Sequence, residues 1–316
     1  MLKKIVIAGG NGFLGRTLIS YFNNKAEKIV VLSRKPFSGS GKAIVEIWNA
    51  DSPGEWTHQL EGADVLINLC GKNVNCRYTT KNRKAIYESR IKPTQLLAEA
   101  VRGCAIPPKL WINSSSATIY KASFDKLMTE AHGETGDDFS MDVCKTWERE
   151  FNNCQLSSTR KIIFRTGIVL GNGGGALPPM RTLAKLGFGM QGNGDQYCSW
   201  VHELDFCRAV EHVIDNRHAE GIYNICVPTP VRNKKFMELL HRVINVRVSI
   251  PLPGWILEAG AFLIRTETEL VLKSRKVFPK RLLDEGFVFE FHDAKSAFEE
   301  LCRKEARIRH DSILSH

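Results

Sequence analysis

KKIVIAGGNGFLGR, residues 3–16, decides how the rest of the chain is read. Lys3 to Ala8 is a short run rich in Val and Ile, the composition of a strand buried on both faces. Gly9, Gly10, Gly12 and Gly15 follow at once, and helical spacing resumes from Arg16 to Phe22. A strand, a glycine turn and a helix in that order place a helix N-terminus at the strand's carboxyl end. Its free N–H groups and positive dipole end can hold a pyrophosphate there. The glycines divide the work. Gly9 permits the tight turn, Gly12 lets the backbone approach the phosphates, and Gly15 lets helix and strand pack closely. The spacing G-x-x-G-x-x-G is a variant of the G-x-G-x-x-G fingerprint with the same mechanics, and it predicts dinucleotide binding.

Working outward, Ile29 to Ser33 reads as a second strand with Arg34 and Lys35 at its carboxyl end. In a doubly wound sheet that position faces the adenosine ribose. A carboxylate there would bond the 2′-hydroxyl of NAD, whereas a basic side chain accommodates the 2′-phosphate of NADP. The residues are Ser33, Arg34 and Lys35, with no carboxylate nearby, so NADP(H) is the expected cofactor. Further strands are expected over Ala43 to Trp48, Asp64 to Leu69, Leu110 to Asn113 and Ile162 to Leu170. Helices are expected over Arg83 to Gly103 and Phe139 to Phe151. Cys70-Gly71 ends the fourth strand in small residues that let backbone approach an adenine or ribose, and Arg90 on the next helix could reach a phosphate. Six strands with intervening helices by residue 170 complete a doubly wound parallel α/β sheet.

The remainder is less regular. Asn172 to Gly194 reads as a long glycine-rich loop around a short helix, Leu177 to Leu186. A helix follows from Glu203 to Asp215, a strand from Gly221 to Cys226, and a helix from Asn233 to Ile244 with Asn233 as its cap. A last helical region is expected from about Pro251 to Leu283, broken near Arg265 to Glu269.

With 316 residues, 43% of them hydrophobic, the chain suits one large domain or a domain with a smaller partner. The net charge of +10 is dispersed, without an aromatic-laced basic patch, so an anionic cofactor explains it better than nucleic acid. Nothing ahead of the first strand reads as a signal peptide, and no apolar run reaches membrane-spanning length. Nine scattered cysteines, with no C-x-x-C pair, read as reduced core residues. A cytoplasmic protein, off the membrane and without a metal site, is the expectation.

The segments AGGNGFLG at 8–15, SSSATIY at 114–120 and SWVHELDFCRAV at 199–210 resemble the extended short-chain dehydrogenase/reductase family. LINLCG at 66–71, YESRI at 87–91, KTWERE at 145–150, RTGIVLGNGGGALPPM at 165–180 and VFPKRLLDEGFVF at 277–289 narrow it. They resemble an epimerase-like subgroup labelled cell-division-inhibitor-like NADP-binding proteins, and the resemblance covers nearly the whole chain. It implies a Rossmann-type NADP-binding domain over 1–170, with contributions from 195–226. A smaller C-terminal α/β region, 171–316, would cover the substrate side. NADP(H) contacts are implied at Gly9, Gly12, Phe13, Leu14 and Gly15 of the turn, and at Ser33, Arg34, Leu69, Cys70, Gly71, Arg90 and Val169.

Family chemistry uses a Ser or Thr, a Tyr and a Lys four residues after the Tyr. The Tyr is the acid/base on a substrate carbinol or carbonyl, and the Lys lowers its pKa and holds the nicotinamide ribose. Ser116 and Lys145 match, but the Tyr position is Met141, which cannot carry a proton. Tyr120 is the nearest substitute, with His202 next, and each has a structural reading beside the catalytic one. Two functions stay open: an NADP-dependent oxidoreductase or epimerase on a small substrate, working as a monomer or homodimer, or a non-catalytic NADP(H) sensor or scaffold.

Overall fold

A computed structural model describes residues 1–37, 41–253 and 273–314. The first strand, β1 (Leu2–Ala8), runs into the glycine turn and α1 (Phe13–Phe22), then β2 (Ala26–Ser33) and β3 (Ala43–Ile47). β4 (Val65–Asn68), α2 (Thr80–Arg102), β5 (Leu110–Ser116), α3 (Phe139–Asn153) and β6 (Arg160–Thr166) follow. With β11 (Gly221–Ile225) the strands form a seven-stranded sheet in the order β11-β6-β5-β4-β1-β2-β3. β1 to β6 pair in parallel. The order reverses beside β1, whose Ala8 pairs with Leu32 on one side and Asn68 on the other. The glycine turn therefore opens at the topological switch point, where doubly wound sheets bind ligands.

Both faces of the sheet are covered, which is why its strands are apolar without strict alternation. Val6, Ala8, Val30, Leu32, Leu66, Trp111 and Ile163 share one core with Leu96, Leu97 and Val101 of α2 and Phe151 of α3. Residues of opposite parity, Ile5, Ile7, Ile29 and Val31, are equally buried. At about 25 cal/mol per Å² of apolar surface, this two-sided burial is the main term holding the sheet.

Two sequence expectations are corrected here. β5 runs three residues past the expected end at Asn113, through Ser114 to Ser116, which pair with Phe164, Arg165 and Thr166 of β6. The expected strand over 162–170 is two strands, because it breaks at Gly167 into β6 and β7 (Ile168–Leu170). A Cβ on Gly167 would lie 2.6 Å from the Ser199 carbonyl oxygen, so only glycine allows that approach.

The chain divides into two compact units. The first holds residues 1–119, 135–166 and 207–223, and the second holds 120–134, 167–206 and 224–316. The second unit thus takes in 120–134 and begins at Gly167, earlier than the boundary at 170 drawn from the sequence. Met128 is the reason for the first of these, since its N–H donates to Lys276 O and its carbonyl accepts from Phe278 N, both at 2.8 Å. Within this unit lie α4 (Leu177–Lys185), β8 (Phe188–Gln191), β9 (Tyr197–Cys198) and β10 (Trp200–His202). β12 (Val231–Arg232), α6 (Asn233–Val243), β13 (Ile250–Leu252), α7 (Lys280–Asp284) and α8 (Ala294–Leu314) complete its described elements. Its strands pair as β7 with β10, β8 with β13 and β9 with β12. Trp200, Phe236 and Phe298 are central to its core. Helix α5 (Glu203–Asp215) passes from the second unit into the first.

β8 lies inside the stretch read as a loop. Asn233 is the first residue of α6 rather than its cap, and its amide instead exchanges hydrogen bonds with Gln191 at 2.8 and 3.2 Å. The helical region expected from Pro251 falls mainly on 254–272, outside the described residues. No described helix is long and apolar enough to cross a membrane. All nine cysteines are free thiols, six of them buried.

Candidate functional site: a dinucleotide cradle in the first unit

The glycine turn has the conformation its sequence calls for. Gly9 adopts φ +75°, open to glycine and strained for other residues, and its N–H donates to Leu32 O at 3.0 Å. A Cβ on Gly9 would sit 3.0 Å from Cys70 N, so the turn rests directly on the end of β4. Gly15 packs against the turn itself, on Gly10, rather than against the strand. Gly12 differs from all three. A Cβ there would meet nothing nearer than Gly9 O at 3.9 Å. Gly12 caps α1 without a side chain, and the first turn of α1 carries no acid. The N–H groups of Phe13, Leu14 and Gly15 are thus left to an outside acceptor.

Around this turn stand two arginines without a carboxylate partner among the described residues. Arg34 is exposed just past β2, close enough to Cys70 for its charge to oppose the effect of burial on that thiol. The Ser33 hydroxyl donates to Lys35 O at 2.7 Å and so shapes the bend that carries Arg34. Arg90 lies over Gly71, whose Cβ would be 3.2 Å from the guanidinium carbon. Among the described residues it donates only to neutral acceptors, Lys72 O, Ile86 O and Ser89 Oγ, and it lies 5.3 Å from the Trp147 ring centre. Burial lowers its pKa, since desolvation disfavours an uncompensated cation. An anion beside Gly71 would restore that lost solvation.

The floor of the cradle is a buried polar network that holds β4, β5, α2 and α3 in place. Asn68 donates to Asn113 Oδ1 at 2.8 Å and Thr94 Oγ1 at 3.1 Å, and accepts from Cys70 N at 3.1 Å. Trp147 donates to Thr94 Oγ1 at 3.0 Å. Beside it, Arg165 grips Glu148 through two bonds of 2.9 and 2.6 Å, and Ser115 Oγ donates to the same carboxylate at 2.6 Å. Burial pushes the thiols of Cys70 and Cys144 up to about 12, so neither is a thiolate nucleophile near neutral pH.

Of the residues matched to family chemistry, Ser116 and Lys145 lie in the first unit. Ser116 Oγ donates to Thr118 Oγ1 at 2.9 Å. Lys145 Nζ pairs with exposed Asp137 at 2.6 Å. Met141, in the Tyr position, is buried. Tyr120 belongs to the second unit and is fully buried, its hydroxyl 2.8 Å from Asn224 Oδ1 and 3.3 Å from Thr129 O. That hydroxyl ties the 120–134 segment to Asn224. His202 is also in the second unit. Its Nδ1 accepts from Leu204 N, which leaves Nε2–H to donate to Glu300 at 3.1 Å, and its ring stacks on Phe291. Burial lowers its pKa to about 4, so it is neutral near pH 7 and orients the entry to α5. Val169 lies in β7 of the second unit, half of a parallel pair with Val201.

Sequence reasoning missed the Arg165–Glu148 pair, the Asn68 network and Arg16 of α1. A signal for the first was present. Arg165 interrupts the apolar run IIFRTGIVL, and Glu148 falls between Cys144, Trp147 and Phe151 on an apolar helix face. Charges on two buried faces at matching ends of neighbouring elements call for each other.

A family model described as NAD dependent epimerase/dehydratase matches residues 5–226. The chain belongs to that family. A second model, a domain of unknown function (DUF1731), matches residues 252–301. An epimerase family protein of Staphylococcus haemolyticus is 31% identical over 95% of this chain and 99% of its own length. Human epimerase family protein SDR39U1 is 29% identical over 94% of this chain and 99% of its own. The crystal structure of that human protein (isoform 2) with NADPH superposes with a TM-score of 0.84, covering 95% of this chain and 99% of that one. A nucleoside-diphosphate sugar epimerase from Corynebacterium glutamicum, 27% identical, superposes with a TM-score of 0.75 over 95% of this chain and 58% of its own. This epimerase family member therefore shares its fold with relatives along nearly its whole length.

Proposed function

We propose that this epimerase family protein binds NADP(H) at the glycine turn of its first unit and acts as an oxidoreductase or epimerase on a small substrate in the cytoplasm. One observation carries the reading: an uncapped helix N-terminus at the switch point, open at Gly12 and flanked by two arginines that have no carboxylate partner among the described residues. The residues present fit the cofactor. Phe13, Leu14 and Gly15 N–H groups would hold the pyrophosphate, Arg34 the 2′-phosphate, and Arg90 a further charge near Gly71. The NADPH named in the structure of the human relative supports the same choice. Bound there, the cofactor would supply a hydride donor or acceptor at its nicotinamide. Ser116 and Lys145 would position a substrate oxygen and a ribose hydroxyl.

A second reading rests on the proton. Met141 has none to give, and Tyr120 spends its hydroxyl on Asn224. A protein with this cradle and no acid would be an NADP(H) sensor or scaffold. A nucleotide-sugar epimerase fits less well, because Arg34 argues against NAD and the acid/base Tyr is missing.

Calorimetric titration separates cofactor from no cofactor. NADPH should bind at least tenfold tighter than NADH, and Arg34→Ala should remove most of the difference, about 1.5–3 kcal/mol for a charge-assisted pair. Equal affinities in the wild type refute the cofactor choice. Single-turnover NADPH oxidation over a panel of carbonyl compounds separates enzyme from sensor. Binding at micromolar concentration or tighter with no oxidation on any of them favours the sensor.

A further inference from the structure

Arg16 stands one turn into α1. Its Nε donates to the Asn11 carbonyl at 3.1 Å and its Nη2 to Asn11 Oδ1 at 2.7 Å. The ring of Phe37 lies 5.2 Å from its guanidinium carbon. Nη1 has no partner among the described residues, and no described carboxylate pairs with the group. The glycine turn itself thus holds an exposed guanidinium by two neutral acceptors and a ring face, with its full charge available.

Phe37 lies three residues beyond Arg34, on the segment that leaves β2. Gly9 N–H bonds Leu32 O, so the turn and the end of β2 are side by side. Arg16 therefore bridges the crevice from the turn to the Arg34–Phe37 segment, and each wall contributes one arginine with no carboxylate partner among the described residues. Given the NADP(H) reading, that crevice is where the adenosine ribose falls. The helix N-terminus already serves the pyrophosphate. The anion left over is the 2′-phosphate monoester, close to two negative charges near pH 7 and matched by two guanidinium groups.

We propose that Arg16, held by Asn11 and Phe37, is a second arm of a 2′-phosphate clamp and sets the preference for NADP(H) together with Arg34. Asn11 is a positioning residue in this arrangement. A lysine at 16 would carry the charge but lose the fork that reaches Asn11 and the phosphate at once.

The inference rests on the cofactor reading, and one experiment keeps the two apart. Full-length protein is titrated by calorimetry with 2′,5′-ADP and with 5′-ADP, ligands that differ in the phosphate and need no catalysis. The wild type should prefer 2′,5′-ADP. Arg16→Ala should weaken 2′,5′-ADP about tenfold and leave 5′-ADP and the melting temperature of the free protein unchanged. Arg16→Lys should recover part of the loss, and Asn11→Ala should show part of it. A wild type that binds the two ligands equally overturns the cofactor reading, and this inference with it. A wild-type preference that survives Arg16→Ala overturns the inference alone. Loss of both ligands together in Arg16→Ala also overturns it, because the residue would then serve the turn and not the 2′-phosphate.

Discussion

Gly12 and Gly15 lie three residues apart in one turn, and the structure assigns them opposite costs. Gly12→Ala adds a methyl group 3.9 Å from its nearest neighbour, at φ −77°, which any residue adopts. The free protein should lose only the difference between glycine and alanine at a helix cap, about 0.5–1 kcal/mol. Gly15→Ala drives its Cβ into Gly10, 2.5 Å from the carbonyl carbon, and backbone cannot swing aside as a side chain can. Overpacking of this kind costs about 1–3 kcal/mol. Ligand response should invert the ranking. A ligand present at a hundred times its Kd stabilises a protein by about 2.7 kcal/mol, several degrees of Tm for a chain of this size. Gly12→Val fills the space left for the phosphates and should abolish that increment while the free protein melts near the wild-type temperature. Gly15→Ala should melt earlier yet keep part of the NADPH increment. Thermal melts of the wild type and the three variants, with and without NADPH, decide the matter. A Gly12→Val protein stabilised by NADPH as fully as wild type would show that the phosphates lie elsewhere.

Glu148→Gln should destabilise the fold by about 3–5 kcal/mol, because it leaves Arg165 charged in the interior. Urea unfolding checks this, and a loss below 1 kcal/mol would refute it. His202 gives a pH dependence of definite sign. Its folded pKa, about 4, is below the ordinary 6.5, so its contribution is complete above pH 6.5 and declines as pH falls toward 4. The gap is worth at most about 3 kcal/mol, and the Glu300 carboxylate on Nε2 reduces it. His202→Asn keeps an acceptor for Leu204 N and should flatten the stability profile between pH 4 and 6.5. An unchanged slope would assign the acid sensitivity to other groups.

What the sequence made legible was local. β1, the turn and α1 announce themselves because strand composition, glycine spacing and helix periodicity occur within twenty residues. Arg34 is legible for the same reason, being two residues past the apolar run that ends at Leu32. The Gly167 break was not, since one glycine in IIFRTGIVL does not show that Ser199 will press against it. The roles of Tyr120 and His202 depend on Asn224 and Glu300, about a hundred positions away, and no local pattern encodes such a partner. Asn233 looked like a cap because its type suits one, and a long-range bond to Gln191 claimed its amide instead.

The interleaving of the two units has a consequence for how the chain is made. The sheet of the first unit is completed at one edge by β11, whose residues leave the ribosome only after 167–206, which belong to the other unit. The nascent chain must carry β6 with an unpaired edge while some fifty further residues are synthesised, several seconds at about 5–20 residues per second. A fragment ending near residue 170 would never close that edge. Contacts so distant in sequence also make slow folding the expectation. The cofactor cradle, built entirely from residues before 170, can take shape while the sheet behind it is still incomplete, so NADP(H) could act as a template during folding as well as a ligand of the finished protein.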